Sequence, residues 1–321
     1  VGAAGTSLLA LLASRVAPVR RPAAAATTWI MMILGIAVTA GVVGGLLDPF
    51  SMARLALVST GVALTAFLLT LIAVAGIERR PSTEVADTTP RPPFGVALRE
   101  TLADPQARRF SVFVFVSMLA YSAQDLILEP FSGLVFGLTP GQSTQLAGVQ
   151  HGGVLLGMIV VGGLGGWIGG RGRGWMRGWT VAGCVGSALA LTALAVAAQV
   201  GPAWPIRPTV FGLGFFNGMF AVAAIGSMMG LAGEGAGRSE GIRMGVWGAA
   251  QAMAFALGGF MGAVGVDIGR QLLATGDAFA LVFALEAALF LASAVIALRL
   301  SVRPSGATAT FDNREVGHVQ A

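Results

Sequence analysis

The sequence predicts an all-α integral membrane protein with eight complete spans and the end of a ninth at its N-terminus. Three observations carry that prediction. First, 55% of the 321 residues are hydrophobic and only 11% are charged, with a mean hydropathy of +0.79. A soluble domain carries roughly 25% charged residues. Second, the apolar residues gather into runs of the ~20 residues that a bilayer requires. Third, every basic residue except two histidines is an arginine, and the arginines sit between those runs.

The elements follow in order. Residues 1–14, "VGAAGTSLLALLASR" without its arginine, are apolar but too short to cross, and carry no basic stretch of the kind that opens a signal peptide. They read as the end of a helix whose beginning is missing. Complete spans are expected over 27–47, 55–77, 110–138, 144–169, 176–200, 208–232, 243–268 and 278–300. Residues 78–109 form a polar, proline-rich connector, and the polar tail from 301 to 321 is expected to be disordered. The 47 glycines suit close helix packing in lipid. Cys184 is the single cysteine, so no intrachain disulfide can form.

Alternate links hold 17 of the 20 arginines, and the opposite side receives Arg54, Arg207 and Arg270. The positive-inside rule makes the arginine-rich side cytoplasmic, the C-terminus included. This topology accounts for the net charge of +5 without any nucleic-acid partner. Two spans, a long cytoplasmic linker and six further spans match the second part of a six-plus-six layout, that of the major facilitator superfamily. Residues 1–77 would then belong to an N-terminal half and residues 110–300 form the C-terminal half, joined by the linker 78–109.

The span after the linker contains "YSAQDLILEPF", residues 121–131. Asp125 lies 15 residues past Phe110, about 22 Å along a helix. Glu129 is four residues on, so both acids share a face. Each charged carboxylate at depth costs on the order of 2.5–3.5 kcal/mol. They must therefore face the bundle, a watery cavity or a cation, or be protonated, or else pair with a helix outside the sequence. Pro130 has no amide proton and leaves the Leu126 carbonyl free. The next span opens with "TPGQSTQLAGVQHGG", where Ser143 or Thr144 is the expected N-cap. It brings Gln145, Gln150 and His151 into the membrane. His151 lies about 12 Å in from Ser143, and Glu129 about 14 Å from the same side, so an acid and an imidazole are expected at one level. Gly152, Gly153 and Gly157 would admit a close neighbour. The imidazole suits a ligand or proton role as well as plain packing. Asn217 and Gln251 read as interhelical hydrogen-bonding groups, Asp267 as solvated, and Glu286 as a deep acid. The glycine clusters "GGLGGWIGG" and "GGFMGAVG" read as packing surfaces. No metal-binding cysteine set, nucleotide motif or nucleophile arrangement is present in the sequence, and an enzyme is not expected.

The stretch "AYSAQDLILEPFSGLVFGLTPGQSTQLAGVQHGGVLLGM", with "AAGTSLLALLA" and "RRPAAAATTWIMMILGIAVTAG", resembles the PucC family. Its near relative is the LhaA type, and the two form the bacteriochlorophyll delivery branch of the major facilitator superfamily. The superfamily's loop signature survives only as "GGWIGGRGR", residues 165–173, where glycine stands in place of the acid. That departure counts against ordinary alternating-access transport. The resemblance implies a factor in the cytoplasmic, intracytoplasmic photosynthetic membrane of purple bacteria. It would assist assembly of light-harvesting antenna complexes by handing bacteriochlorophyll, and carotenoid as a second pigment, to the antenna polypeptides. Asp125, Glu129 and His151 would be the polar heart, with Gln124, Gln145 and Gln150 in support. The sequence assigns none of them as the axial ligand of the pigment magnesium. Two other readings stand beside it: a proton-coupled small-molecule transporter with an Asp125–Glu129–His151 relay, and a pigment-free scaffold whose glycine-rich faces dock antenna helices.

Overall fold

The computed structural model describes residues 21–75, 103–167, 173–232 and 240–299, with isolated positions 95 and 99. The stub 1–14, most of the linker, the tail and most of the residues 165–173 lie outside the described residues. Among the described residues, eight α-helices are long and apolar enough to cross a membrane, and the chain is a multi-pass, all-α membrane protein. They are α1 (Arg21–Leu46), α2 (Met52–Val74), α3 (Pro105–Phe136), α4 (Pro140–Trp167), α5 (Arg173–Val200), α6 (Ile206–Ala232), α7 (Glu240–Leu272) and α8 (Thr275–Leu298).

All eight predicted spans exist, but several begin earlier than hydropathy places them. For α3 and α4 the cause is local capping. Asp104 accepts from the Gln106 N–H at 3.0 Å and Pro105 fills the first helical position, so α3 begins at Pro105. Proline is tolerated there because that N–H has no helical partner. The N-cap expected at Ser143 or Thr144 is wrong for a related reason. Thr139 caps α4: its Oγ1 accepts from the Gln142 N–H at 3.2 Å, while Gln142 Oε1 accepts from the Thr139 N–H at 3.1 Å. This is a reciprocal capping box with proline between the partners. At its other end, α3 closes on Gly137, whose φ of 68° only glycine adopts readily. Gly137 N–H bonds to the Gly133 carbonyl and Leu138 N–H to that of Ser132. Residues 137–139 alone therefore turn the chain back. Thr139→Ala is expected to cost about 1 kcal/mol, read as a lower thermal midpoint in detergent.

Helices α3 to α8 make one bundle. The most extensive contacts are α4 with α6, α5 with α8, α3 with α7 and α5 with α6. Glycine makes close approaches in all four, most clearly between α4 and α6. A Cβ on Gly153 or Gly157 would strike the backbone of α6 at Phe215 N or Met219 N, 2.9 Å away in each case. A Cβ on Gly214 or Gly218 would strike the α4 backbone at Gln150 C (2.9 Å) or Val154 C (2.8 Å). The two helices thus interlock through reciprocal small residues. Gly152, by contrast, faces open space. In "GGFMGAVG", Gly258 and Gly262 lie against Leu119, Ser122 and Ala123 of α3, as a packing surface should. Among the described residues of "GGLGGWIGG", Gly162 and Gly163 have nothing within 4 Å.

Between the helices an aromatic spine runs along α3 and α8. Phe131 meets Phe279 and Phe283 at ring-centroid distances of 5.2 and 4.9 Å. Asn217 accepts from Ser187 Oγ at 2.7 Å, the interhelical hydrogen bond expected of it. Asp267 is exposed.

Outside the bundle, α1 packs along α4, where Gly44 admits Gln145 and Gly41 lies against Gly148. The α1–α2 turn is tied twice. Arg54 Nη1 donates to the Asp48 and Pro49 carbonyls at 2.7 and 3.1 Å, and Thr139 Oγ1 donates to Asp48 Oδ1 at 2.8 Å. Helix α2 buries Val58 alone. A groove of about 840 Å³ separates it from α1.

Candidate functional site

The polar side chains of α3 and α4 face each other across a sparse contact. Joined by a three-residue turn, the two helices nonetheless touch far less than α4 touches α6. Two side-chain hydrogen bonds bridge the gap. Gln150 Nε2 donates to Asp125 Oδ1 at 3.3 Å, and Ser143 Oγ donates to Glu129 Oε1 at 3.4 Å. Both are long, near the limit for such bonds. Asp125 and Glu129 both open onto accessible surface, as their four-residue spacing on one face predicts.

The expected level of His151 needs correction. It does not sit beside Glu129. Because α4 starts at Pro140, His151 lies 11 residues in, about 16 Å from the helix start. The antiparallel pairing then sets Glu129 opposite Ser143, near the turn, and Asp125 opposite Gln150. Asp125 is the acid within Coulombic range of His151. Gln145 also departs from the expected cluster: it turns to α1, against Gly44 and Gly45. Gln124 is fully buried, and neither its amide oxygen nor its nitrogen has a hydrogen-bond partner.

His151 Nδ1 lies 2.9 Å from the Ala147 carbonyl. A carbonyl can only accept, so this contact requires the proton on Nδ1. In the neutral ring the lone pair then sits on Nε2. His151 is half-buried, so that nitrogen belongs to a side chain with a share of open surface. The same tautomer is the one in which histidine ligates a metal through Nε2, held by a carbonyl at its back.

Sequence reasoning ranked Glu286 too low. Only 2% of its surface is exposed, and neither carboxylate oxygen has a hydrogen-bond partner. Asp125 lies within Coulombic range of it. The Phe131–Phe283 contact fixes the register of antiparallel α3 and α8, and sets Glu286 within a turn of Gln124 and Asp125. Tyr121, one turn before Asp125, is likewise within its field and packs on Phe255 at a centroid distance of 5.9 Å. The i, i+4, i+8 spacing of Tyr121, Asp125 and Glu129 is the signal that could have added Tyr121. No one-dimensional signal brings Glu286 to them. An unpaired buried carboxyl costs stability, about 1–3 kcal/mol. Glu286→Leu is therefore expected to raise the thermal midpoint while impairing whatever the cluster binds. A lowered midpoint would show that Glu286 has a structural partner.

Residues 1–305 match the family described as PUCC protein. The chain belongs to the PucC family. Among curated proteins, it is 54% identical over 297 residues to "Bacteriochlorophyll synthase 44.5 kDa chain" of Rhodobacter capsulatus, covering 92% of this chain and 68% of that protein. It is 28% identical over 266 residues to "Protein PucC" of Cereibacter sphaeroides, covering 80% and 55% respectively. With "Protein PucC" of Rhodobacter capsulatus the identity is 27% over 257 residues, covering 79% and 54%. The chain thus spans about half the length of these two proteins named PucC. Every residue of the α3–α4–α8 cluster falls inside the part that matches the PucC family.

Proposed function

We propose that this chain is an assembly factor for light-harvesting antenna complexes, which binds bacteriochlorophyll at the polar side chains shared by α3 and α4 and delivers it to antenna polypeptides. Membership of the PucC family suggests a role in light-harvesting complex assembly. The name of the R. capsulatus relative supports an association with bacteriochlorophyll; its word "synthase" describes that protein, and an assembly factor is the reading favoured here. We place the chain in the bacterial cytoplasmic or intracytoplasmic photosynthetic membrane with its C-terminus cytoplasmic. Residues 1–77 are read as part of one six-helix half, 78–109 as the linker, 110–300 as the other half and 301–321 as the tail.

The observation that carries the pigment reading is the contact of His151 Nδ1 with the Ala147 carbonyl, which in the neutral ring leaves the lone pair on Nε2. Bacteriochlorophyll supplies a magnesium that takes one axial donor. His151 offers Nε2 with its lone pair available and its ring oriented by the Ala147 carbonyl. Asp125 is the acid that interacts electrostatically with His151. Gln150 holds Asp125. Gln124, buried with an unmatched amide nitrogen, holds a donor for a carbonyl substituent of a macrocycle, and Ser143 holds Glu129 near the turn. The surrounding helices are apolar, as a flat pigment requires. A carotenoid has no metal and gains nothing from these donors, so the cluster does not argue for it.

Handover tests this function. Pigment-loaded full-length protein is mixed in membranes with pigment-free antenna polypeptides. The expected result is a shift of the near-infrared band to that of an assembled antenna, dependent on this protein. Antenna assembly that proceeds equally with pigment-free protein would favour the scaffold reading. Proton-driven uptake of a small solute, abolished by Asp125→Asn, would favour the transporter.

A further inference from the structure

At the opposite end of the bundle from the α3–α4 turn, the start of α3 and the end of α8 enclose a cavity of about 550 Å³. Its walls are Arg108, Arg109, Val112, Ile296 and Arg299. Three arginines thus converge from two helices, and no acid is among the described lining residues. Asp104, a turn earlier, caps α3 and does not line the cavity. The positive-inside bias accounts for arginines at this end of the protein. It does not account for three of them around one cavity with an aliphatic wall.

We propose that Arg108, Arg109 and Arg299 bind the phosphate of an anionic phospholipid. Guanidinium forks match phosphate oxygens in geometry. Basic pockets between transmembrane helices bind acidic head groups in this way. Depth separates a lipid from free phosphate. Val112 lies three to four residues further into α3 than the two arginines, and Ile296 lies three residues further into α8 than Arg299. Both aliphatic side chains are therefore on the membrane side of the cations, where an acyl chain leaves a head group. A soluble anion would have no use for them. The site is remote from the polar side chains shared by α3 and α4 and does not rest on the pigment reading.

The test uses the full-length chain in neutral detergent, with native mass spectrometry counting retained phosphatidylglycerol against phosphatidylcholine. Arg108→Gln, Arg109→Gln, Arg299→Gln and the triple variant are compared with Arg270→Gln, which removes one charge at the far end. Phosphatidylglycerol is expected to be retained in preference, with roughly fivefold weaker binding per cavity arginine and about a hundredfold for the triple variant. Arg270→Gln is expected to behave as the parent, and inorganic phosphate is expected not to displace the lipid. Equal retention of the two lipids, or a triple variant that binds as the parent does, overturns the site. Displacement of the lipid by millimolar inorganic phosphate overturns its lipid specificity. The single variants keep the test valid if the triple variant does not fold.

Discussion

His151→Ala is expected to lower the bacteriochlorophyll retained per protein by on the order of 10–100-fold, the range typical of a disturbed metal site. Alanine is the best helix former, so α4 itself should not suffer. The variant loses the Nε2 donor and the single bond from Nδ1 to the Ala147 carbonyl. Asp125→Asn keeps the shape and an oxygen for Gln150 but removes the charge beside the imidazole. Its expected loss is smaller, a few-fold. The magnesium-free form of the same pigment separates ligation from simple greasiness: it should bind the parent and His151→Ala equally weakly. Absorbance and protein assay on the same fractions check all three. Full retention by His151→Ala, with loss on Glu286→Gln, would move the ligand to the buried acid on α8.

The second large effect lies in packing, where neighbouring glycines should respond with opposite signs. Gly157→Ala sets a methyl group against the α6 backbone at Met219 N, 2.9 Å away, and backbone within a bundle cannot step aside. The expected cost is about 3 kcal/mol, the upper range for overpacking. Gly152→Ala meets nothing within 4 Å. There the gain in helix propensity should prevail, with stabilisation of about 0.5–1 kcal/mol. Thermal unfolding of the two variants in one detergent decides the matter. Equal effects would show that α4 and α6 do not interlock as described.

Much of the fold was legible because a bilayer demands long apolar runs, and these survive any tertiary arrangement. The ends were less legible because caps override hydropathy. Thr139 and Gln142 start α4 ahead of its apolar run, and that shift carried His151 from the level of Glu129 to that of Asp125. Asp125, Glu129, Gln150 and His151 were visible as polar residues where lipid permits few. The divergence of Gln145 towards α1 was not visible, since it depends on Gly44 of a distant helix. Glu286 lies about 160 residues from Asp125 in the chain, and only the packing of α8 on α3 unites them. Nor does hydropathy distinguish α2, which buries only Val58 among the described residues, from the helices of the bundle, because lipid and helix cores accept the same side chains.

The most direct test of the central claim is an absorbance spectrum of the full-length protein, purified gently from a pigment-making host. The account predicts a near-infrared bacteriochlorophyll band in stoichiometric amount, lost in His151→Ala and retained in Gly152→Ala. A folded, monodisperse preparation with no pigment, from which antenna polypeptides still co-purify, would contradict it.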